Sequence, residues 1–441
     1  MARDRILIMG AAGRDFHNFN LLYRNNDKFD VVAFSAAQIP DIEGRVYPAG
    51  LAGDMYPNGI PIIAEEDLAT FIPDNKIDAC IFSYSDMPYV HVMQKSAFVN
   101  SLGADFVLLG GQKTMLKSSK PVVAICAVRT GSGKSQTTRK VSTLLRESGY
   151  KVVVIRHPMP YGDLAKQAVQ RFATLEDMDE HDCTIEEREE YEHHVKNGSV
   201  VYAGVDYASI LKEAEKEADI ILWDGGNNDL PFYKPDLYIT IVDPHRPGHE
   251  IEYYPGEINL YLADAVVVNK IDSADQAGID TVVANVKSRN PKATVIMGES
   301  PLTVEGDVSE IVGKKILCVE DGPTLTHGGM KYGAAVVAAR NHQAGSIVDP
   351  RPWAVGRIAE TFEIYPGIGE LLPAMGYGDE QIADLEKTIN AVDCDLVLVG
   401  TPIDLTNLIK IDKPNMRVAY RLEEKGSPNL TEVLGEFTSK I

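Results

Sequence analysis

Three α/β units with parallel sheets are predicted for this chain by three features of its sequence. Short β-branched runs recur, each followed by a glycine-containing turn and a helical pattern, as in strand–helix–strand units. At 441 residues the chain exceeds one compact core and is sized for about three domains. With 44% hydrophobic and 24% charged residues it reads as an ordinary globular protein, which excludes a disordered, collagen-like or repetitive chain.

The first unit, residues 1–118, carries strand candidates at Arg5–Met9, Phe29–Phe34, Ala79–Phe82 and Asp105–Leu109, and ends at the polar linker Lys117–Pro121. The second, 119–312, carries Val122–Ile125, Lys151–Ile155, Ile220–Trp223, Leu237–Ile241, Ala265–Val268 and Ala293–Met297. The third, 313–441, carries Lys315–Val319, Gly345–Val348, Leu396–Val399 and Arg417–Tyr420, with a helix near Asp379–Val392 that places Ile382, Leu385, Ile389 and Val392 on one face. The acidic stretch Leu175–Asn197 is expected to be a capped helix, either with a solvated acidic face or closing over a site as a lid.

The 43 Lys+Arg and 64 Asp+Glu leave a net charge of −21, the wrong sign for wrapping nucleic acid or docking on anionic lipid. No apolar run approaches the roughly 18 residues of a membrane helix, so a cytoplasmic protein is expected. The five cysteines are scattered and lack a Cys-x-x-Cys pair, which predicts reduced, mostly buried thiols.

After the strand Val122–Ile125 comes Arg129-Thr-Gly-Ser-Gly-Lys-Ser135, then a helical pattern from Gln136. Strand, glycine-rich loop and helix form the setting of a phosphate loop. Thr130, Gly131, Ser132 and Gly133 would turn N–H groups onto phosphates, Lys134 would bridge them, and the Ser135 hydroxyl would bind Mg²⁺. Val128 stands where the usual first glycine would fall. The variant resembles the dimerising P-loop class of dethiobiotin synthetase, nitrogenase iron protein and the nickel-insertion GTPases. That resemblance implies a parallel sheet flanked by helices, a homodimer or higher homo-oligomer, and a phosphate-directed role for Arg129, unless its guanidinium is held locally.

Asp224, closing the apolar run Ile220–Trp223, is the expected Mg²⁺-binding acid, with Asn227, Asn228 and Asp229 beside it. In the P-loop class that the chain resembles, the end of the second strand carries residues that meet the transferred phosphoryl group or the second substrate, which makes His157 and Asp163 on the proline-rich loop there the candidates. Asn269-Lys270-Ile-Asp272 has the pattern of a guanine-binding segment, because a carboxylate accepts from guanine N1–H and its amine but opposes adenine N1. ATP enzymes also keep an Asn-Lys pair here, so ATP and GTP both stand.

Asp243, His245, Arg246 and His249 cluster on a loop with two prolines and are expected to hold an anionic substrate. Thr324, His327 and Lys331, in a glycine-rich junction after Glu320, would add donors. Gly10 and Gly13 make only a weak dinucleotide signature, so an oligomerisation or regulatory role is preferred for the first unit.

Five segments together resemble the cyclic 2,3-diphosphoglycerate synthetase-like family of predicted GTPases: Gly10–Asn18, Ala127–Ser135, Arg156–Asp163, Asp243–His249 and Glu320–His327. The resemblance implies nucleotide-driven phosphoryl transfer to a small phosphorylated or carboxylated metabolite, with cyclisation of 2,3-diphosphoglycerate as its reference reaction. The rival is a GTPase switch or metallochaperone acting on a protein partner, although no His/Cys-rich metal-delivery stretch is present.

Overall fold

The computed structural model describes residues 3–37, 44–157, 162–226, 229–326, 328–375, 379–402 and 404–441. Three principal sheets form from the β-branched runs. The first has six strands in the order Val46–Tyr47, Ile60–Ala64, Phe29–Ala36, Asp4–Met9, Ala79–Phe82, Asp105–Leu108, parallel except at the Val46–Tyr47 edge. Aromatic packing of Phe16, Phe19, Phe34 and Tyr47 fills one of its faces.

The second sheet has nine strands, with Val122–Ala127 between Ile220–Trp223 and Leu237–Val242. Its antiparallel edges, Gln170–Phe172 and Glu423–Glu424, are the only departures from parallel pairing among the described residues. Its inner strands are buried along their length, as a parallel sheet covered on both faces requires. All six strands expected here form. Val200–Ala203 was not anticipated, being a short run directly after the polar Lys196-Asn-Gly-Ser199.

The third sheet joins Leu302–Glu305, Asn415–Tyr420, Leu396–Gly400 and Lys315–Asp321, with Ser346–Ile347 and Leu372–Ala374 on the last. Two segments cross the division expected at residues 312 and 313. Leu302–Glu305 pairs antiparallel with Asn415–Tyr420, while Leu422 and the helix Leu430–Thr438 pack on the nine-stranded sheet. A further ribbon, Met87–Pro88 against Tyr253–Tyr254, ties the first sheet's loops to the second.

The acidic stretch forms two helices, Leu175–Glu180 and Ile185–Lys196, each opened by a threonine capping box. The second is not a solvated face: Glu187, Glu189, Tyr191 and His194 are buried. All five cysteines are free. No helix among the described residues is long and apolar enough to cross a membrane.

Candidate active site

The central strand delivers the chain into the loop 128–133 and the helix Lys134–Glu147 at the carboxyl edge of the nine-stranded sheet, a topological switch point. Gly133 has φ +109°, and its missing side chain leaves room for Asn269. Asn269 Nδ2 donates to Ser132 O at 2.9 Å and Lys270 Nζ to Gly131 O at 2.6 Å, so the Asn269–Asp272 segment braces the loop from below.

Asp243 completes that brace. Its carboxylate takes Arg246 at 2.9 Å and Lys270 at 3.1 Å, while Arg246 also donates to Ser132 Oγ at 3.3 Å. Burial alone would raise the Asp243 pKa, but the Lys270 and Arg246 charges hold it at about 2. Asp243 and Arg246, expected to face an anionic substrate, are thus turned onto the phosphate loop itself. His245 bonds Ser273 Oγ at 2.9 Å and lines the cavity.

A second buried network surrounds Asp224, which is 0% exposed. Oδ1 accepts Lys134 Nζ and Thr138 Oγ1, each at 2.7 Å; Oδ2 meets an Arg156 guanidinium nitrogen at 2.7 Å and His194 Nε2 at 3.3 Å. Burial raises its pKa, while the Arg156 and Lys134 charges and the His194 hydrogen bond lower it, with a net shift well below the carboxylate range. For Lys134, burial and the Arg156 charge together outweigh Asp224 and bring the ammonium to about 8. Glu190 pairs with the far side of Arg156.

Above the loop opens a cavity of about 1330 Å³, walled by all three sheets' loops. Lys134, Ser135, Gln136, Lys270 and Asp272 line it from the central sheet, and Thr130, Gly131 and Gly133 from the loop. Gln136 Oε1 accepts Ser300 Oγ at 3.1 Å, and Asp272 Oδ1 accepts Ser300 N–H at 2.9 Å. His157 also lines the cavity, packed edge-on against Trp223 and Phe232 and bonded through Nδ1 to Tyr207 Oη at 2.6 Å. Burial, with Arg14 and Arg156 nearby, keeps it neutral.

Arg129 is held within its own chain: Nε meets Asp86 at 2.5 Å, another nitrogen meets His249 Nδ1 at 2.5 Å, and the guanidinium lies 3.7 Å from the Tyr253 ring centroid. His249 is lowered to about 4 by burial and by Arg129. Asp163 is exposed and caps its own turn through Ala165 N–H at 2.9 Å, away from the cavity. Thr324 packs beside Gly131 and bonds Asp321, whereas Lys331 is exposed. Buried Glu320 accepts Val336 N–H at 2.8 Å and so takes up a donor at the start of the helix Ala334–Asn341. His327, Asn227, Asn228 and the run 158–161 lie outside the described residues.

Sequence reasoning did not single out Asp86, Arg156, His194 or the carboxylate of Asp15. Arg156 carried a readable signal, a charge ending an otherwise apolar strand. His194 did not, because only the fold brings its helix against Asp224.

Residues 195–298 match the P-loop domain of cyclic 2,3-diphosphoglycerate synthetase. The chain is 61% identical over 436 residues to an arginine synthetase, ArcE, of Thermococcus kodakarensis, covering 99% of this chain and 97% of that protein. It is 29% identical over 211 residues to the cyclic 2,3-diphosphoglycerate synthetase of Thermococcus gammatolerans, covering 47% and 44% of the two chains. A crystal structure of LpxK from Aquifex aeolicus with ATP aligns over 79% of this chain and 96% of its own, at 12% identity and a TM-score of 0.46. The braced phosphate loop and the full-length identity place this chain in the family of P-loop synthetases that includes cyclic 2,3-diphosphoglycerate synthetase and the arginine synthetase ArcE, and it is an enzyme.

Proposed function

We propose that this enzyme forms L-arginine from a ureido amino acid, ammonia and ATP. The observation that carries this is the 61% identity over nearly the whole chain to an arginine synthetase. Arginine's terminal C–N bond is reached from L-citrulline in two balanced steps. The ureido oxygen attacks the γ-phosphorus, forming an O–P bond as the bond to ADP breaks. Ammonia then adds to the ureido carbon, and the C–O bond breaks to release phosphate. Both this reaction and cyclisation of 2,3-diphosphoglycerate activate an oxygen by phosphorylation, which is how one phosphate loop serves both.

The charge of the cavity supports an amino acid over a diphosphorylated acceptor. Of the cations in its wall, Arg14 is paired with Asp229, Arg129 with Asp86 and Lys270 with Asp243, and Asp15 adds a carboxylate with no cation of its own. Lys134 would meet the β- and γ-phosphates, with Asp224, Arg156 and His194 setting its position and charge. The Ser135 hydroxyl lines the cavity at the helix start and fits a Mg²⁺ ion carried by the nucleotide's phosphates, where the ion would neutralise developing charge. Asp224, with both oxygens committed to donors, would act behind Lys134 rather than as a direct ligand.

ATP is favoured by the rim at the base end. The Ser300 N–H is committed to Asp272, and Pro301 has no N–H, so this pair offers no main-chain donor to guanine O6. Asp272 Oδ2 remains to accept from an exocyclic amine, which adenine and guanine both carry, so the preference comes from the missing donor.

The test is incubation with ATP, ammonium and L-citrulline labelled with ¹⁸O in the ureido group. Arginine together with ¹⁸O in the released phosphate supports the reading. A cyclic pyrophosphate from 2,3-diphosphoglycerate, with no arginine, would replace it by the family's reference reaction.

A further inference from the structure

The loop Gly10–Gly13 and the helix Arg14–Asn18 bring one unusual carboxylate to the cavity wall. Asp15 is 3% exposed, and its Oδ1 accepts the N–H groups of Ala12 at 2.8 Å and Phe16 at 2.7 Å. Its Oδ2 sits over Gly10, where a Cβ would come within 2.5 Å. No cation of the described residues pairs with it; it feels instead a second carboxylate, Asp229, which is already held by Arg14 at 2.6 Å. A buried acid left in that state calls for donors from outside the chain.

Its neighbours fix which part of a ligand would meet it. A Cβ on Gly13 would lie 2.6 Å from His157 Nδ1, so this loop is pressed onto the ring that lines the same cavity as Lys134. His157 Nε2 has no hydrogen-bond partner among the described residues and lies 3.9 Å from Asp229 Oδ2. Asp15, Asp229 and the unpartnered His157 Nε2 therefore gather at the end of the cavity reached from the phosphate loop, where the reacting end of an acceptor must lie.

We infer that Asp15 receives the N–H donors of the substrate's ureido group and of the product's guanidinium, and selects an acceptor rich in N–H groups. This rests on the arginine-forming reading. Burial raises the Asp15 pKa to about 6, against the two N–H bonds, so the carboxylate is ionised at neutral pH and ready to take a cation.

The test compares wild type with Asp15→Asn, which keeps the Oδ1 hydrogen bonds, in steady-state kinetics and in calorimetric binding of L-arginine and agmatine. The expected result is at least a tenfold higher KM for L-citrulline and a tenfold weaker binding of both guanidino ligands. The KM for ATP stays within twofold and the melting temperature is no lower than wild type. If wild type makes arginine and D15N keeps its citrulline KM and arginine affinity, the role of Asp15 is overturned while the reaction stands. If wild type neither makes arginine nor binds L-arginine, the reaction falls and the inference with it.

Discussion

Arg14 and Asp229 are 215 residues apart in sequence, yet Arg14 Nε lies 2.6 Å from Asp229 Oδ1, with both side chains buried. The same guanidinium donates to Leu230 O at 2.5 Å and rests 4.4 Å from the Phe232 ring centroid. This contact binds the first sheet's loop to the segment that follows the strand ending at Asp224. It therefore sets the distance between the Asp15 wall and the phosphate loop.

Arg14→Ala would leave Asp229 buried without its cation, and such a break costs about 3–5 kcal/mol. Arg14→Ala with Asp229→Asn should recover part of that loss. Denaturant titration of the two variants measures the difference, and equal losses would show that the pair is not coupled.

Lys134→Ala removes the ammonium proposed to meet the transferred phosphoryl group. Turnover of ATP should fall by about 10²–10³-fold. Since Arg156 and His194 still face Asp224, the melting temperature should change little. A single-turnover assay with a parallel melt separates the two effects.

ATP should bind up to about tenfold more tightly than GTP, the scale of one unmade hydrogen bond. Pro301→Ala restores an N–H at the base end and should narrow the gap by improving GTP. Competition calorimetry gives both constants, and equal affinities in wild type would remove the adenine assignment.

Glu320 is raised to about 8 by burial, against N–H bonds from Val336, Ala335 and Gly333. The folded state thus binds this proton more tightly than the unfolded chain. Stability from the group is complete below the unfolded value of 4.5 and declines as pH rises through about 8. Between pH 5 and pH 8.5, wild type should lose more melting temperature than Glu320→Gln. Parallel slopes for the two proteins would assign the loss to another group.

Local physics carried much of this reading. β-branched periodicity marked all six expected strands of the central sheet, and the glycine, lysine and serine of the loop marked the nucleotide site, because turn geometry and phosphate contact act over a few residues. The helix Asp379–Ala391 formed with Leu385 and Ile389 buried and Ile382 partly buried, and Val392 is buried just beyond its end.

What the sequence determined by itself was the parallel α/β architecture, the phosphate loop and the family, since each is written in short-range patterns. The tertiary structure alone decided which charged groups are available to a ligand. Asp243 and Arg246 looked like a substrate pocket, but Lys270, Ser132 and Gly328 reach them from distant strands and loops and engage them. Asp15 was not singled out beside Gly10 and Gly13, yet it is buried at the cavity wall without a cation. Pairing and desolvation depend on neighbours brought together from across the chain, and no local pattern encodes them.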